Sequence, residues 1–283
     1  MEKAIVVTGA TDGIGLAVVK GLIAGGYDVI GVARNREKAT RILAEIGSDR
    51  LCFAYGDLSS FAEVRGIADA IAVMLTEKPR GLTAVIHVAG VVVTKRSLTV
   101  DGHERTFAVN HLAVHLLTRL LMPWLLKEKG ARVLVVSSMA HRWGRVHFHD
   151  VSLKHGYWLL PAYAQSKLMN VLFVRYGARS VNAADVSFYA IDPGLVNTTI
   201  AFKLTSGIAK WIWKFKRKNG DPTPVPAAHI IRIATASDYA GQSGFYWKNG
   251  VAVKPSRRSG NVDDMIHLFE LSERLTAVAE KRD

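Results

Sequence analysis

Residues 8–15 read TGATDGIG and lie between an apolar run, KAIVVT, and a segment with helical periodicity. Glycines at these spacings let the backbone turn tightly and approach a pyrophosphate closely. The helix that follows presents unpaired N–H groups and the positive end of its dipole to the same anion. Such a loop is a weak signal alone, but its strand–loop–helix context predicts a dinucleotide site. The glycines are Gly9, Gly13 and Gly15.

Apolar runs rich in β-branched residues alternate with helical stretches from the N-terminus to about residue 192. Continuous apolar strands that alternate with helices indicate a parallel sheet covered on both faces. The chain has 283 residues and 49% hydrophobic content, enough for one sizeable core. We therefore expect a single α/β domain over residues 1–283, with a doubly wound parallel sheet of about seven strands.

The sequence also limits where the protein is expected to act in the cell and which cysteine chemistry is available to it. It shows no signal-peptide pattern and no run near the roughly 18 apolar residues of a membrane span, so we expect a cytoplasmic protein. Cys52 is the single cysteine, which excludes a disulfide within the chain and an all-thiolate metal site.

The formal charge of +13 is concentrated locally, since residues 203–218 contain six basic residues and no acid. Within this segment Ile208, Trp211, Ile212 and Phe215 form one apolar helical stripe flanked by lysines. A nucleic-acid surface is the weakest interpretation, because the aromatics share a stripe and no nucleic-acid motif accompanies them. A lid over an apolar pocket, an anionic membrane surface and packing against the domain or a second copy stay open.

Arg34 follows the predicted second strand, where an acid would bind a ribose 2′-hydroxyl and repel a 2′-phosphate. A guanidinium there can pair with the phosphate, so the sequence favours NADP(H) over NAD(H), unless Arg34 only opens a solvated helix. Asp57, in GDLSS, can bind an adenine amino group or cap a helix, and both interpretations stay open.

The pentapeptide YAQSK places Tyr163 and Lys167 on one face of a helix. A nearby ammonium is expected to lower the pKa of the phenol and make it a usable general acid–base group. Ser137 and Ser138 end a predicted strand at the carboxyl edge of the sheet, where a hydroxyl can bind a carbonyl oxygen.

With these motifs the sequence resembles the classical short-chain dehydrogenase/reductase family over essentially its whole length. The matching stretches are TGATDGIG, GDL, VNH, VSS, YAQSK and DPGLVNT. The resemblance implies a Rossmann-type fold with a substrate lid at about residues 195–226. It narrows to the branch of retinol dehydrogenases, the WW-domain oxidoreductase and protochlorophyllide reductase. This branch is matched by TVDGHERTFAVNH, by VSSMAHRWGRVHFHD and by the separation of 25 positions from Ser138 to Tyr163.

The resemblance assigns roles to individual residues. Tyr163 would be the catalytic acid, Lys167 would lower its pKa and hold the nicotinamide ribose, Ser138 would orient the carbonyl, and Asn110 would complete a proton relay. The implied cofactor contacts are Gly9, Thr11, Asp12, Gly13, Ile14, Gly15, Arg34, Asp57, Leu58, Ala89, Gly90, Tyr163, Lys167, Pro193, Gly194, Val196 and Thr198.

Two departures from the family pattern stand out. His87 and Val88 replace the asparagines of the family's Asn-Asn-Ala-Gly, which puts strand-bridging hydrogen bonds in doubt. Asp12 stands where some NADP-preferring members carry a basic residue, so cofactor preference would rest mainly on Arg34. We expect no metal, because the histidines of HRWGRVHFHD lack an evident fourth ligand.

The sequence thus predicts an NADP(H)-dependent oxidoreductase that transfers hydride between nicotinamide and a hydrophobic carbonyl or alcohol. Alternatives are a biosynthetic ketone or enone reductase and a noncatalytic NADP(H)-sensing protein. We expect a hydrophobic small-molecule substrate, no nucleic acid, peripheral membrane contact through residues 208–218, and a homodimer through the long helices around Asn110 and Tyr163.

Overall fold

The computed structural model describes residues 2–194 and 222–276. Within these ranges one eight-stranded sheet has the order β3-β2-β1-β4-β5-β6-β7-β8. All neighbouring strands are parallel except β7 and β8. The strands are β1 (Glu2–Thr8), β2 (Asp28–Ala33), β3 (Leu51–Tyr55), β4 (Arg80–His87), β5 (Ala131–Val136), β6 (Val186–Asp192), β7 (Tyr246–Lys248) and β8 (Val251–Val253).

The helices cover both faces of this sheet, which confirms the predicted α/β class. They are α1 (Gly13–Ala24), α2 (Arg36–Ile46), α3 (Phe61–Glu77), α4 (Arg105–Phe107), α5 (Ala113–Leu125), α6 (Leu159–Ser180), α7 (Pro224–Thr235) and α8 (Val262–Thr276). A π-helical turn, Ala108–Leu112, joins α4 to α5. Within the described ranges, no helix is both long and apolar enough to cross a membrane.

The core has two layers, one on each face of the sheet. One layer packs the apolar sides of α3, α5, α6 and α8 against the strands. The other packs α1, α2 and α7 against the opposite face. Strands β1, β2, β5 and β6 are almost wholly buried, as their unbroken apolar runs predict. The carboxyl ends of the parallel strands lie together at one edge of the sheet.

The eighth strand was not expected from the sequence. Strands β7 and β8 pair antiparallel through Lys248 and Val251, with only Asn249 and Gly250 between them. Both loop residues have positive φ, 51° and 74°, the backbone of a tight two-residue hairpin. The Asn-Gly dipeptide was the available signal for this hairpin.

Helix α8 covers the outer side of α5 and α6, where the resemblance places homodimer contacts. Phe269 of α8 stacks on Tyr176 of α6, with 4.1 Å between ring centroids. Glu273 accepts hydrogen bonds from His115 and Arg119 of α5, at 2.7 and 2.9 Å. Part of the surface expected to bind a second copy is therefore occupied by the chain's own helix.

Candidate active site

The chain reverses direction across the sheet between β1 and β4. From β1 the strands run outward to β2 and β3, and from β4 they run the other way to β7. Ligands of open α/β sheets bind at the carboxyl ends of strands beside such a switch point. The sequence-predicted site residues that the structure describes lie along this edge.

The loop from β1 to α1 has the shape of a phosphate cradle. Gly9 has φ +69°, and a Cβ there would lie 3.0 Å from the backbone of Ala89. A Cβ on Gly15 would lie 2.1 Å from the carbonyl oxygen of Gly9. The loop closes only with glycine at these positions, which leaves the N-terminus of α1 accessible to an anion.

Other loop residues have fixed roles as well. Asp12 caps α1 by accepting a hydrogen bond of 2.9 Å from the backbone N–H of Gly13, and it pairs with Lys38 at 2.9 Å. The side chain of Ile14 packs in the core, so only its backbone is available to a cofactor. Thr11 is half-buried in the same loop.

His87 and Val88 stand in place of the family's two asparagines, which puts the strand-bridging hydrogen bonds in doubt. Other hydrogen bonds connect the strands at the switch point. The backbone N–H of Ala89 donates to Thr8 Oγ1 at 3.1 Å, which ties the end of β4 to the end of β1. His87 turns away and pairs with Thr118 of α5 at 2.8 Å. Burial lowers the pKa of His87 to about 3, so the ring is neutral.

Arg34 and Asp57, at the ends of β2 and β3, form an ion pair of 3.2 Å. The other oxygen of Asp57 accepts a 2.8 Å hydrogen bond from the N–H of Ser59. Burial raises the pKa of Asp57, but hydrogen bonds from Ser59 and Arg34 outweigh it, and the net pKa is lowered. Ser60, not Asp57, caps α3, so the helix-cap interpretation of Asp57 is wrong. Leu58 packs against the core.

Asn110 lies in the π-helical turn and anchors the loop after β4. Its Oδ1 accepts from Val91 N at 2.7 Å, and its Nδ2 donates to Val91 O at 2.9 Å and Ser166 Oγ at 3.0 Å. π turns often mark functional positions because they displace a side chain from the regular helical ladder. Gly90 lies beside this amide. A Cβ on Gly90 would lie 3.4 Å from Asn110 Oδ1 and 3.5 Å from Lys167 Nζ.

Tyr163 and Lys167 lie on the inner face of α6 and meet Ser138 at the end of β5. The ammonium of Lys167 donates to the carbonyl of Val136 at 2.9 Å and lies 5.5 Å from the centre of the Tyr163 ring. The side chain of Ser138 lies close enough to the Tyr163 hydroxyl to lower the pKa of that phenol. Ser137 instead donates to the carbonyl of Lys167 at 2.9 Å, a contact that fixes α6 on the sheet.

The pKa of Tyr163 moves in the direction opposite to the one expected from the Tyr–Lys spacing. Burial of the phenol raises its pKa to about 12; the side chain of Ser138 lowers it and the charge of Asp192 raises it. Burial likewise lowers the pKa of Lys167 to about 8, against the opposing effect of Asp192. Burial of the phenol outweighs the lowering effect of Ser138, so the expected lowering of the Tyr163 pKa was wrong for this structure.

Known proteins support the family that the motifs suggest. A family model described as short chain dehydrogenase matches residues 3–208. The chain belongs to the short-chain dehydrogenase family. Its members are oxidoreductases that use a nicotinamide cofactor.

Curated relatives of this short-chain dehydrogenase include retinol dehydrogenases. Retinol dehydrogenase 12 of Bos taurus is 36% identical over 98% of this chain and 87% of its own. Retinol dehydrogenase 11 of Homo sapiens is 35% identical over 75% of this chain and 66% of its own. WW domain-containing oxidoreductase of Gallus gallus is 32% identical over 96% of this chain and 68% of its own.

Solved structures show the same fold. A protein of Mycobacterium paratuberculosis has a TM-score of 0.77 and 26% identity, covering 98% of this short-chain dehydrogenase and 94% of its own chain. NADPH-bound carbonyl reductase from chicken fatty liver has a TM-score of 0.67 at 18% identity, over 90% of this chain and 94% of its own.

One residue close to the site of this short-chain dehydrogenase, Asp192, was not predicted from the sequence. Asp192 ends β6 with a buried carboxylate, whose Oδ1 accepts from the backbone N–H of Gly194 at 3.0 Å. Its position directly before Pro193 and Gly194 in the DPG motif was the available signal. Gly194 has φ +74°, in the left-handed region that favours glycine.

Part of the expected site lies outside the described residues. This applies to Val196, Thr198, residues 195–221 of the lid expected at about 195–226, and the segment 208–218. The described remainder brings together the glycine loop, Asn110, Ser138, Tyr163 and Lys167 along one sheet edge.

Proposed function

We propose that this chain is an NADP(H)-dependent oxidoreductase that transfers hydride between nicotinamide and a hydrophobic aldehyde, ketone or alcohol, with Tyr163 as the general acid–base group. The observation that carries this proposal is that Ser138 and the buried Lys167 ammonium both lie close to Tyr163, with Lys167 Nζ 5.5 Å from the centre of the Tyr163 ring. A protein that only binds the dinucleotide has no need of a proton donor close to a carbonyl-binding hydroxyl.

The chain's own residues perform the proton transfer. Bound NADP(H) supplies or accepts the hydride at the carbonyl carbon. Ser138 Oγ donates a hydrogen bond to the carbonyl oxygen, and Tyr163 Oη gives that oxygen its proton as the alcohol forms. The phenol is protonated at neutral pH, since its pKa is about 12, and is ready to act as the acid. The Lys167 ammonium stabilises the phenolate that this transfer leaves.

The residues present fit the extra phosphate of NADP(H). Arg34 has a largely exposed guanidinium at the end of β2, and Lys38 follows one helical turn later. Each cation pairs with a partly exposed carboxylate, Arg34 with Asp57 and Lys38 with Asp12. Such pairs contribute little in water, so a phosphate can replace Asp57 as the partner of Arg34 at small cost.

An apolar substrate suits the side chains that flank the catalytic residues. Trp143, five residues after Ser138, is 74% exposed, and Trp158, five residues before Tyr163, is 71% exposed. Met139 and Leu160 are also exposed. We further propose that residues 208–218 contact an anionic membrane surface, from which a hydrophobic substrate enters.

The decisive experiment follows NADPH and NADH oxidation by purified protein with a panel of apolar aldehydes and ketones. Tyr163→Phe is expected to abolish turnover while NADPH binding persists. Tyr176→Phe is the matched control, because it makes the same change on the same helix where the ring stacks on Phe269. Tight NADPH binding without turnover on any carbonyl would contradict the proposal and favour a sensor.

Membrane contact is tested separately by co-sedimentation with anionic and zwitterionic liposomes. Wild-type protein is expected to bind the anionic vesicles only. A variant with Lys210, Lys214 and Lys218 changed to Gln is expected to lose that binding and keep its activity on a soluble aldehyde. Failure of the wild-type protein to bind anionic liposomes would refute the membrane contact alone.

A further inference from the structure

His141 is a buried histidine whose two ring nitrogens both bond the main chain beside the catalytic serine. It lies in the 3-10 turn Met139–Arg142, which directly follows Ser138. Its Nδ1 is 2.8 Å from the carbonyl oxygen of Ser138. Its Nε2 is 3.0 Å from the backbone nitrogen of Ser256, and the side chain is fully buried.

These partners determine the tautomer of the ring. The backbone N–H of Ser256 can only donate, so Nε2 of His141 must be the unprotonated acceptor. A neutral ring then carries its hydrogen on Nδ1, which donates to the carbonyl of Ser138. Burial lowers the pKa of His141, so the ring stays in this neutral form at neutral pH.

A second contact holds the ring from its face. Tyr246, on β7, packs against His141 with 4.6 Å between ring centroids. The Tyr246 hydroxyl donates to Asp192 Oδ2 at 2.9 Å, and Asp192 holds the backbone of Gly194. The imidazole therefore joins the ends of β5 and β6 to the segment that follows β8.

We propose that His141 is a positioning residue, which fixes the main chain of Ser138 through Nδ1–H and thereby aims the Ser138 hydroxyl at Tyr163 and at the substrate oxygen. This inference rests on the proposed function, because it requires that Ser138 binds the carbonyl. A histidine that merely filled the core would use neither nitrogen for a catalytic residue's backbone. The geometry instead directs one nitrogen to each of two main-chain groups.

Two substitutions separate the two hydrogen bonds. In His141→Asn the amide nitrogen lies where Nδ1 was and restores the bond to Ser138, while the Ser256 N–H loses its acceptor. In His141→Gln the side-chain oxygen reaches the Nε2 position and restores the bond to Ser256, while the bond to Ser138 is lost. The variants are matched, since each keeps an amide side chain and loses one buried hydrogen bond.

If the hydrogen bond to Ser138 positions the catalytic hydroxyl, His141→Gln is expected to lower kcat about tenfold, which is the effect of losing one hydrogen bond in the transition state. The kcat of His141→Asn is expected to stay within about threefold of the wild-type value. The KM for NADPH is unchanged in both variants, because the glycine loop is untouched. In a Ser138→Ala background, His141→Gln causes no further loss, since the hydroxyl it positions is gone. Equal kcat in the two variants, or a tenfold loss that persists without the hydroxyl, would overturn the proposal.

A spectroscopic test does not depend on turnover. The ¹⁵N chemical shifts of the His141 ring are expected to report the neutral Nδ1–H tautomer from pH 6 to 8. In His141→Gln the backbone resonances of Ser138 are expected to move while those of Gly9 to Gly15 stay in place. The other tautomer, a charged ring or unmoved Ser138 resonances would refute the positioning role. Absence of wild-type turnover with these resonances as expected would count against the proposed function instead.

Discussion

The hydroxyl of Tyr246 donates a hydrogen bond of 2.9 Å to the buried carboxylate of Asp192, across 54 residues of sequence. Asp192 has no cation as a hydrogen-bond partner among the described residues; its donors there are the Tyr246 hydroxyl and the backbone N–H of Gly194. Its charge raises the pKa of both Tyr163 and Lys167. The carboxylate therefore favours the protonated forms of both groups, the state required for reduction of a carbonyl.

Tyr246→Phe is expected to destabilise the fold by about 1.5–3 kcal/mol, because the buried carboxylate loses one of its donors. The phenylalanine ring still packs on His141, so the main chain of Ser138 is held and kcat falls only a few-fold. Urea denaturation and steady-state kinetics measure the two effects. Tyr189→Phe is the control, since its hydroxyl donates to the carbonyl of Tyr239 and not to a carboxylate. An equal loss of stability in both variants would contradict a special role for the charge.

Lys167→Met is expected to stabilise the protein at pH 7 while it abolishes turnover. The folded chain holds the Lys167 ammonium buried, with a pKa of about 8 against about 10.5 when unfolded, so its charge costs about 3 kcal/mol below pH 8. Between pH 8 and 10.5 only the unfolded chain binds this proton, so wild-type stability rises with pH there relative to the variant. Denaturation at pH 7 and pH 10 checks this. A pH-independent difference between the two proteins would contradict the lowered pKa.

The features that the sequence predicted are those encoded by local patterns. Gly9, Gly15, Tyr163 and Lys167 belong to short motifs with fixed spacing, and the strand-helix alternation determines which sheet edge they share. Helix α6 carries Tyr163 and Lys167 on one face, as the i, i+4 spacing requires. Local spacing was therefore sufficient for the position of this pair.

The features that the sequence did not predict depend on contacts between distant segments. The bond between Tyr246 and Asp192 and the bond of His141 to Ser256 cross 54 and 115 residues. The pKa of Tyr163 was misjudged for the same reason, since burial of the phenol is a property of the packed structure. No spacing rule encodes how much water a folded chain excludes from one side chain.

Buried neutral histidines are expected to make the fold acid-sensitive. Burial lowers the pKa of His87 and of His111 to about 3, against about 6.5 in the unfolded chain. Between about pH 6.5 and about pH 3 the unfolded chain binds a proton at each of these histidines and the folded chain does not. Each histidine therefore lowers the free energy of unfolding by about 1.4 kcal/mol for every unit that the pH falls in this range.

His87→Gln isolates one of these contributions, because glutamine can still bond Thr118 and carries no titrating group. Urea denaturation from pH 7 to 4.5 should give a shallower loss of stability for this variant, by about 1.4 kcal/mol per pH unit below pH 6. His155→Gln makes the same change at an exposed histidine and is the matched control. Identical slopes for wild type and His87→Gln would show that the His87 ring is charged in the fold.

Arg34→Ala tests the cofactor preference. If the Arg34 guanidinium binds the 2′-phosphate in place of Asp57, the KM for NADPH is expected to be about 10-fold to 100-fold higher in Arg34→Ala, because a charge-assisted hydrogen bond is lost. The KM for NADH is expected to stay nearly constant. Arg41→Ala removes an equal charge from an exposed position on the following helix, α2, and controls for the general field of this basic protein. Because Arg34 is largely exposed, higher salt should weaken NADPH binding in wild type more than in Arg34→Ala. Equal changes in the two KM values would show that Arg34 does not contact the group that distinguishes the cofactors.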